Sequence, residues 1–279
     1  MALVDDINRF LFLFADTFRL AGRGRIWWFL LVYFLLNWLL LYAHYNFLSP
    51  FFYTVVTGWL SLFGGETAAA FTHYPAHLYY LSDLFGWSKL ALGLVLEGLV
   101  LGAVAVIFGR HFMGQRDTGS AFRYVLPKWG YLVLAWAVIN SLMLAAGEVL
   151  PGWLQPLFEG PRRSLAFALV VMPSVYILIL ALFFFTIPSV AVFGDNLFRA
   201  LGRSLRIFVR KPFTCIFLSG AVLFFPIVVS ILSGYSAGII EKFKPELIYW
   251  ILLTGLVLEM VANFFWMGVS VRFLIDEEN

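Results

Sequence analysis

The stretch "LALGLVLEGLVLGAVAVIFG", Leu90 to Gly109, decides the fold. Its twenty residues carry one charge, Glu97. That is the length and polarity a helix needs to cross the roughly 30 Å hydrocarbon core of a bilayer. The run extends over 86–108, and five others read the same way, at about 26–48, 129–149, 164–187, 213–238 and 247–272. Composition agrees: 62% of the 279 residues are hydrophobic, 13% are charged and mean hydropathy is +0.90. A soluble domain has fewer apolar and more charged residues. The expected class is an all-α membrane protein with six transmembrane helices, forming one transmembrane domain over 1–279.

The distribution of charge then predicts orientation. Fourteen of the nineteen lysines and arginines precede the first run, lie between the second and third or the fourth and fifth, or end the sixth. Only Lys89, Arg162, Arg163, Lys242 and Lys244 fall on the opposite side. The positive-inside rule therefore puts both termini in the cytoplasm. The net charge of +3 concentrates at the inner headgroups, which favours anionic phospholipid over nucleic acid as the partner. Asp5, Asp6 and Arg9 open the chain without the basic-then-apolar order of a signal peptide, so the sequence predicts that this start is retained.

Each pair of runs follows a basic, amphipathic stretch. In the clearest, Arg199, Arg203, Arg206 and Arg210 are spaced 4, 3 and 4 apart, one stripe at 3.6 residues per turn, ending at Lys211-Pro212. Leu197, Leu201, Leu205 and Phe208 take the opposite face, and Asp195 in "GDNLF" is the expected N-cap. Such a helix is predicted to lie flat in the cytoplasmic headgroup layer. At the N-terminus, Arg9, Arg19 and Arg23 share one side while Ile7, Leu11, Phe14 and Phe18 share the other. "FRLAGR" at Phe18 to Arg23 nearly repeats as "FRALGR" at Phe198 to Arg203, and "SAFRYVLPKWG" from Ser120 is a shorter version. "GLVLE" occurs twice, at Gly93 to Glu97 and Gly255 to Glu259, each followed thirteen residues later by an arginine, Arg110 or Arg272. The pattern predicts three parallel helical-hairpin repeats, about 1–110, 116–188 and 195–273, each led by an interfacial helix.

Glu97 and Glu259 fall near the middle of their runs, where an acidic residue costs on the order of 3 kcal/mol. With Asn37, Asn140 and Asn263 at similar depth they form a candidate midplane polar cluster. It is either hydrogen-bonded packing glue or a proton or cation relay. No lysine or arginine is expected inside a run to pair with them. Met172-Pro173-Ser174 breaks the fourth run at the corresponding level. Segment 49–84 holds no lysine or arginine and many aromatics, from Phe51 to Tyr80. It is expected to be a surface-lying or re-entrant piece, with docking of a protein partner as the alternative.

Enzyme signatures are weak. "GYSAG", Gly234 to Gly238, fits G-x-S-x-G without its strand-turn-helix setting, and Ser236 has only a distant His44 to call on. Close helix approach is the better use of Gly234 with Gly238, and of Gly98 with Gly102. His73 and His77 have Pro75 between them and lack a following H-E-x-x-H glutamate. The lone Cys215 excludes an internal disulfide and a cysteine-rich metal site. No catalytic residue, metal or cofactor is expected.

Pro188 through "SVAVFGDNLFRALGRS" to Ser204, followed by "RIFVRKPF" at Arg206 to Phe213, resembles the YciC-like proteins and the membrane domain attached to some glycerophosphodiester phosphodiesterases. The likeness extends to the layout of most of the chain and to the wording of about twenty residues. It implies a six-helix protein of the bacterial inner membrane in contact with lipid. The phosphodiesterase catalytic domain is missing, so that activity does not carry over. The expected function is non-catalytic: binding or organising lipid, or serving as the membrane subunit of a larger complex. Arg199, Arg203, Arg206, Arg210, Lys211, Arg19 and Arg23 are the expected contacts to headgroups or a partner. The alternative is a proton- or cation-coupled small-molecule transporter using the midplane carboxyls.

Overall fold

A computed structural model describes residues 2–47, 49, 52, 53, 58, 76–115, 119–158 and 160–278. Among the described residues every regular element is helical. α1 spans Ala2–Phe18. Among the described residues six helices are long and apolar enough to cross a membrane: α2 (Gly24–Tyr45), α3 (Leu81–Phe112), α4 (Ala121–Leu154), α5 (Arg162–Phe193), α7 (Pro212–Gly234) and α8 (Leu247–Glu278). α6, Leu197–Arg210, lies between α5 and α7. The chain is thus an all-helical protein of multi-pass membrane type, and all six expected runs are present. Most of segment 49–84, including the greater part of its aromatics and His73, lies outside the described residues.

Each spanning helix is apolar nearly all round, as burial against lipid on one side and protein on the other requires. In α2, Ile26, Leu30, Tyr33, Asn37, Leu41 and His44 are buried at spacings of three and four, whereas Trp28, Leu31, Leu35 and Leu39 are exposed.

The chain divides into two compact units: residues 1–31, 94–224 and 261–279 form the first, and 32–93 with 225–260 the second. An aromatic core holds the first together. Phe108, Phe184, Phe185, Phe264 and Phe273 are fully buried; Phe108 meets Phe264 edge-on at 5.3 Å and Phe185 meets Phe273 at 4.9 Å. Gly98 and Gly102 bring α3 against α4: a Cβ at Gly98 would stand 2.6 Å from the Leu132 carbonyl oxygen, and one at Gly102 would stand 2.8 Å from the Leu132 side chain. This matches the small-residue expectation. Gly234 and Gly238 do not: nothing approaches within 4 Å of either, because "GYSAG" straddles the end of α7. In the second unit Leu41, Leu78, Leu81, Phe85, Ile248, Leu252 and Leu256 form the core. Gly255, the first residue of the second "GLVLE", lets α8 approach Val229, whose Cγ1 would lie 2.6 Å from a Cβ there.

α5 is irregular at both ends. A π turn at Phe167–Val171 precedes Pro173, whose ring nitrogen has no hydrogen to donate, and the Ser174 hydroxyl donates to the Val170 carbonyl at 2.7 Å. Near its other end the helix opens at Phe184-Phe185, and two side chains take up the freed backbone groups. Ser204 of α6 donates to the Leu182 carbonyl at 2.8 Å and accepts from the Phe185 amide at 3.2 Å. Trp266 of α8 donates to the Phe184 carbonyl at 3.0 Å. Buried backbone groups need such partners, so this break fixes where α6 docks.

Candidate functional site

α6 starts where Gly194 turns the chain through φ +73° and Asn196 extends it. The Asn196 side chain accepts from the Arg199 amide at 2.9 Å, so Asn196 rather than Asp195 is the N-cap. Asp195 instead forms an ion pair with Arg203, at 2.9 Å. Lys211-Pro212 closes α6 and opens α7, where proline's fixed φ and missing N–H suit a first helical turn.

α6 presents three faces. Ala200, Ser204 and Ile207 are buried against α4 and α5. Phe198 is 82% exposed, Val209 77% and, just beyond, Phe213 60%. The arginines occupy the remaining face. The two-sided pattern expected from sequence lacks the narrow protein-facing strip of small and β-branched residues, whose volumes give no hydrophobic stripe.

A groove of about 590 Å³ runs between the arginine face and the last turns of α8, where Leu274, Glu277 and Glu278 line it. Of the five cations from Arg199 to Lys211, two are already satisfied. Arg203 pairs with Asp195 and donates to Glu278, and Lys211 donates to Glu277. Glu277 also accepts from Arg9 at 2.7 Å, while Phe273 lies between the cations, 4.3 Å from the Arg9 guanidinium and 5.5 Å from the Lys211 nitrogen. Arg199, Arg206 and Arg210 are exposed, and among the described residues none of their guanidinium groups has an acidic partner. The groove is therefore a carboxylate-buffered wall facing a row of three available cations.

The N-terminal basic residues are arranged differently. Arg23 Nη1 lies 2.7 Å from His111 Nδ1, which must accept because guanidinium only donates. Arg19 meets Asp16 at 3.5 Å, and Asp16 also holds Arg272 at 3.1 Å. α1 buries Leu13 and Thr17 and leaves Ile7, Leu11 and Phe18 exposed, as α6 leaves Phe198 and Val209.

Of the expected midplane residues, Glu97 and Asn263 are buried. Asn37 and Asn140 each turn their amides onto the carbonyl four residues back, Tyr33 at 2.9 Å and Trp136 at 3.0 Å. Glu259 accepts a hydrogen bond from Lys89, eight residues after the start of α3. The expectation of no cation inside a run fails: Lys89 stands three residues into the expected run of 86–108, and α3 carries it inside the helix. Beside Lys89, Ser88 lies 3.1 Å from His44 Nε2, and His44 Nδ1 lies 2.7 Å from the Leu40 carbonyl. A carbonyl only accepts, so Nδ1 carries the proton and Nε2 accepts from Ser88. The buried His44 thus bonds Ser88, a pairing that no motif announced. Among the described residues no cluster of three metal-ligating side chains occurs.

Comparison with protein-family models, curated proteins and solved structures finds no match to this chain.

Proposed function

We propose that this protein is a non-catalytic, integral inner-membrane protein that binds anionic phospholipid headgroups at the cytoplasmic face through α6. In this reading α1 and α6 lie at headgroup level, and the six spans form three parallel hairpins with both termini inside. The supporting observation is the pairing of Arg199, Arg206 and Arg210, cations without acidic partners among the described residues, with the exposed shoulder of Phe198 and Val209 on the same short helix and Phe213 just beyond it. Guanidinium matches phosphate geometry, and the aromatic shoulder suits the boundary between headgroups and acyl chains. The likeness to the YciC-like proteins agrees with this role. The test is reconstitution of the full chain with defined lipids. Wild-type protein retains phosphatidylglycerol through purification and the triple Arg→Gln variant does not; equal retention by both would sink the proposal.

A second reading, proton- or cation-coupled transport, is favoured by the Lys89–Glu259 pair inside a helical span. It predicts that Lys89→Gln with Glu259→Gln abolishes a proton-linked flux in proteoliposomes while leaving the fold intact.

A further inference from the structure

We infer that the ligand of the α6 groove is a lipid whose headgroup carries two phosphates on a short linker; this rests on the headgroup reading above. At 100° per residue Arg199, Arg206 and Arg210 fall within about 40° of one another, a single ladder along the helix. Arg206 and Arg210 are one turn apart, about 6 Å along the axis, and both guanidiniums can converge on one phosphate. Arg199 lies about 10.5 Å from Arg206 along the axis, two turns away, too far to share that phosphate without folding back over the intervening turn. A second phosphate, one linker away, meets it.

The rest of the groove enforces this choice. Arg203, which sits between the two stations, is held by Asp195 and Glu278, so it offers no central cation to draw a single phosphate inward. Glu277 and Glu278 on the opposite wall are already paired with Arg9, Lys211 and Arg203, so that wall offers an anion no further cation. A one-phosphate headgroup therefore leaves Arg199 unused, whereas a two-phosphate headgroup engages all three. Paired phosphates also occur in soluble molecules. The exposed Phe198, Val209 and Phe213 favour a ligand with acyl chains.

The experiment is lipid titration of the full chain in neutral detergent, read by native mass spectrometry, with diphosphatidylglycerol, phosphatidylglycerol and inorganic pyrophosphate as probes. Wild type is expected to bind diphosphatidylglycerol about fivefold more tightly than phosphatidylglycerol, the worth of one more arginine at a lipid surface. Arg199→Gln lowers diphosphatidylglycerol affinity about fivefold and so removes that preference; Arg199→Lys restores part of it. Arg206→Gln with Arg210→Gln weakens both lipids. Equal affinity for the two lipids, both lost in the triple variant, overturns the two-phosphate assignment and leaves the headgroup reading standing. Lipid binding indifferent to all three arginines overturns both. Pyrophosphate binding at least as tightly as the lipid overturns the lipid assignment in favour of a soluble ligand.

Discussion

"FRLAGR" at Phe18 to Arg23 and "FRALGR" at Phe198 to Arg203 are the same six residues with Leu and Ala exchanged, yet they build different things. The first ends α1: Leu20 and Ala21 donate to carbonyls three residues back, and the chain turns into α2. The second is continuous helix. The exchanged position is the buried one in both, Leu20 filling space at the end of α1 and Ala200 fitting flat against its neighbours in α6. Their arginines diverge as well. Arg23 meets His111 and its counterpart Arg203 meets two carboxylates, whereas Arg199, the counterpart of Arg19, stands on a ladder with Arg206 and Arg210. Similar wording therefore gives a structural turn at one end of the chain and a candidate binding helix at the other.

The strongest way to break that contrast is to neutralise each set of cations. Replacing Arg199, Arg206 and Arg210 with glutamine is expected to weaken binding to anionic vesicles on the order of a hundredfold, at about 1 kcal/mol per arginine. The melting temperature should not move, since none of the three packs inside. The matching triple at Arg9, Arg19 and Arg23 is expected to reverse the result, with near wild-type binding and a lower melting temperature. Equal loss of binding in the two triples, measured by vesicle flotation, would erase the distinction.

The next effect concerns how α1 is held. Gly268 of α8 lies where a Cβ would come 2.2 Å from Thr17 Cγ2 and 2.9 Å from Phe108 Cζ. Gly268→Ala must push α1 outward, at a cost of about 1–3 kcal/mol by the usual scale of overpacking. Thermal denaturation in detergent should show the loss, while lipid binding through α6 stays intact. If α1 were loosely attached, the alanine would be tolerated without change.

Much of this was legible in the sequence. Six apolar runs gave six spans because oil tolerates little else over 20 residues, and the 4, 3, 4 spacing of arginines placed a basic helix between the fourth and fifth spans. What escaped detection depends on contacts between distant residues. Asp195 looks like a cap from its neighbours, but Arg203 claims it and Asn196 caps instead. Ser204 reads as one more polar residue until the open backbone at Phe184-Phe185 gives it two bonds. Lys89, near the start of the run at 86–108, reads as a headgroup-level charge until packing brings it to Glu259, 170 residues away. Glu277 and Glu278 carry no motif at all, and only packing shows them neutralising Lys211 and Arg203.

A smaller effect follows from those two acids. Glu278→Gln removes one of two carboxylates on Arg203 and leaves Asp195, so Arg203 becomes partly available to a ligand. Anionic-lipid affinity should rise about two- to threefold, less than a full arginine's worth near a charged surface. An unchanged or lower affinity would mean that the acidic wall plays no part in screening the groove.

The smallest expected effect is the sharpest test of the comparison. Arg19 and Arg199 occupy the same place in the two six-residue stretches and both are exposed. Arg19 lies 3.5 Å from Asp16, three residues away, with its side chain 77% exposed; pairs of that kind contribute at most a few tenths of a kcal/mol. Asp16 keeps Arg272 when Arg19 is gone. Arg19→Gln should therefore shift neither the melting temperature nor lipid affinity beyond error, whereas Arg199→Gln lowers affinity for a two-phosphate lipid. Should the two substitutions behave alike, the environment that separates these near-identical stretches would have no functional consequence, and the role assigned to α6 would have to be shared with α1.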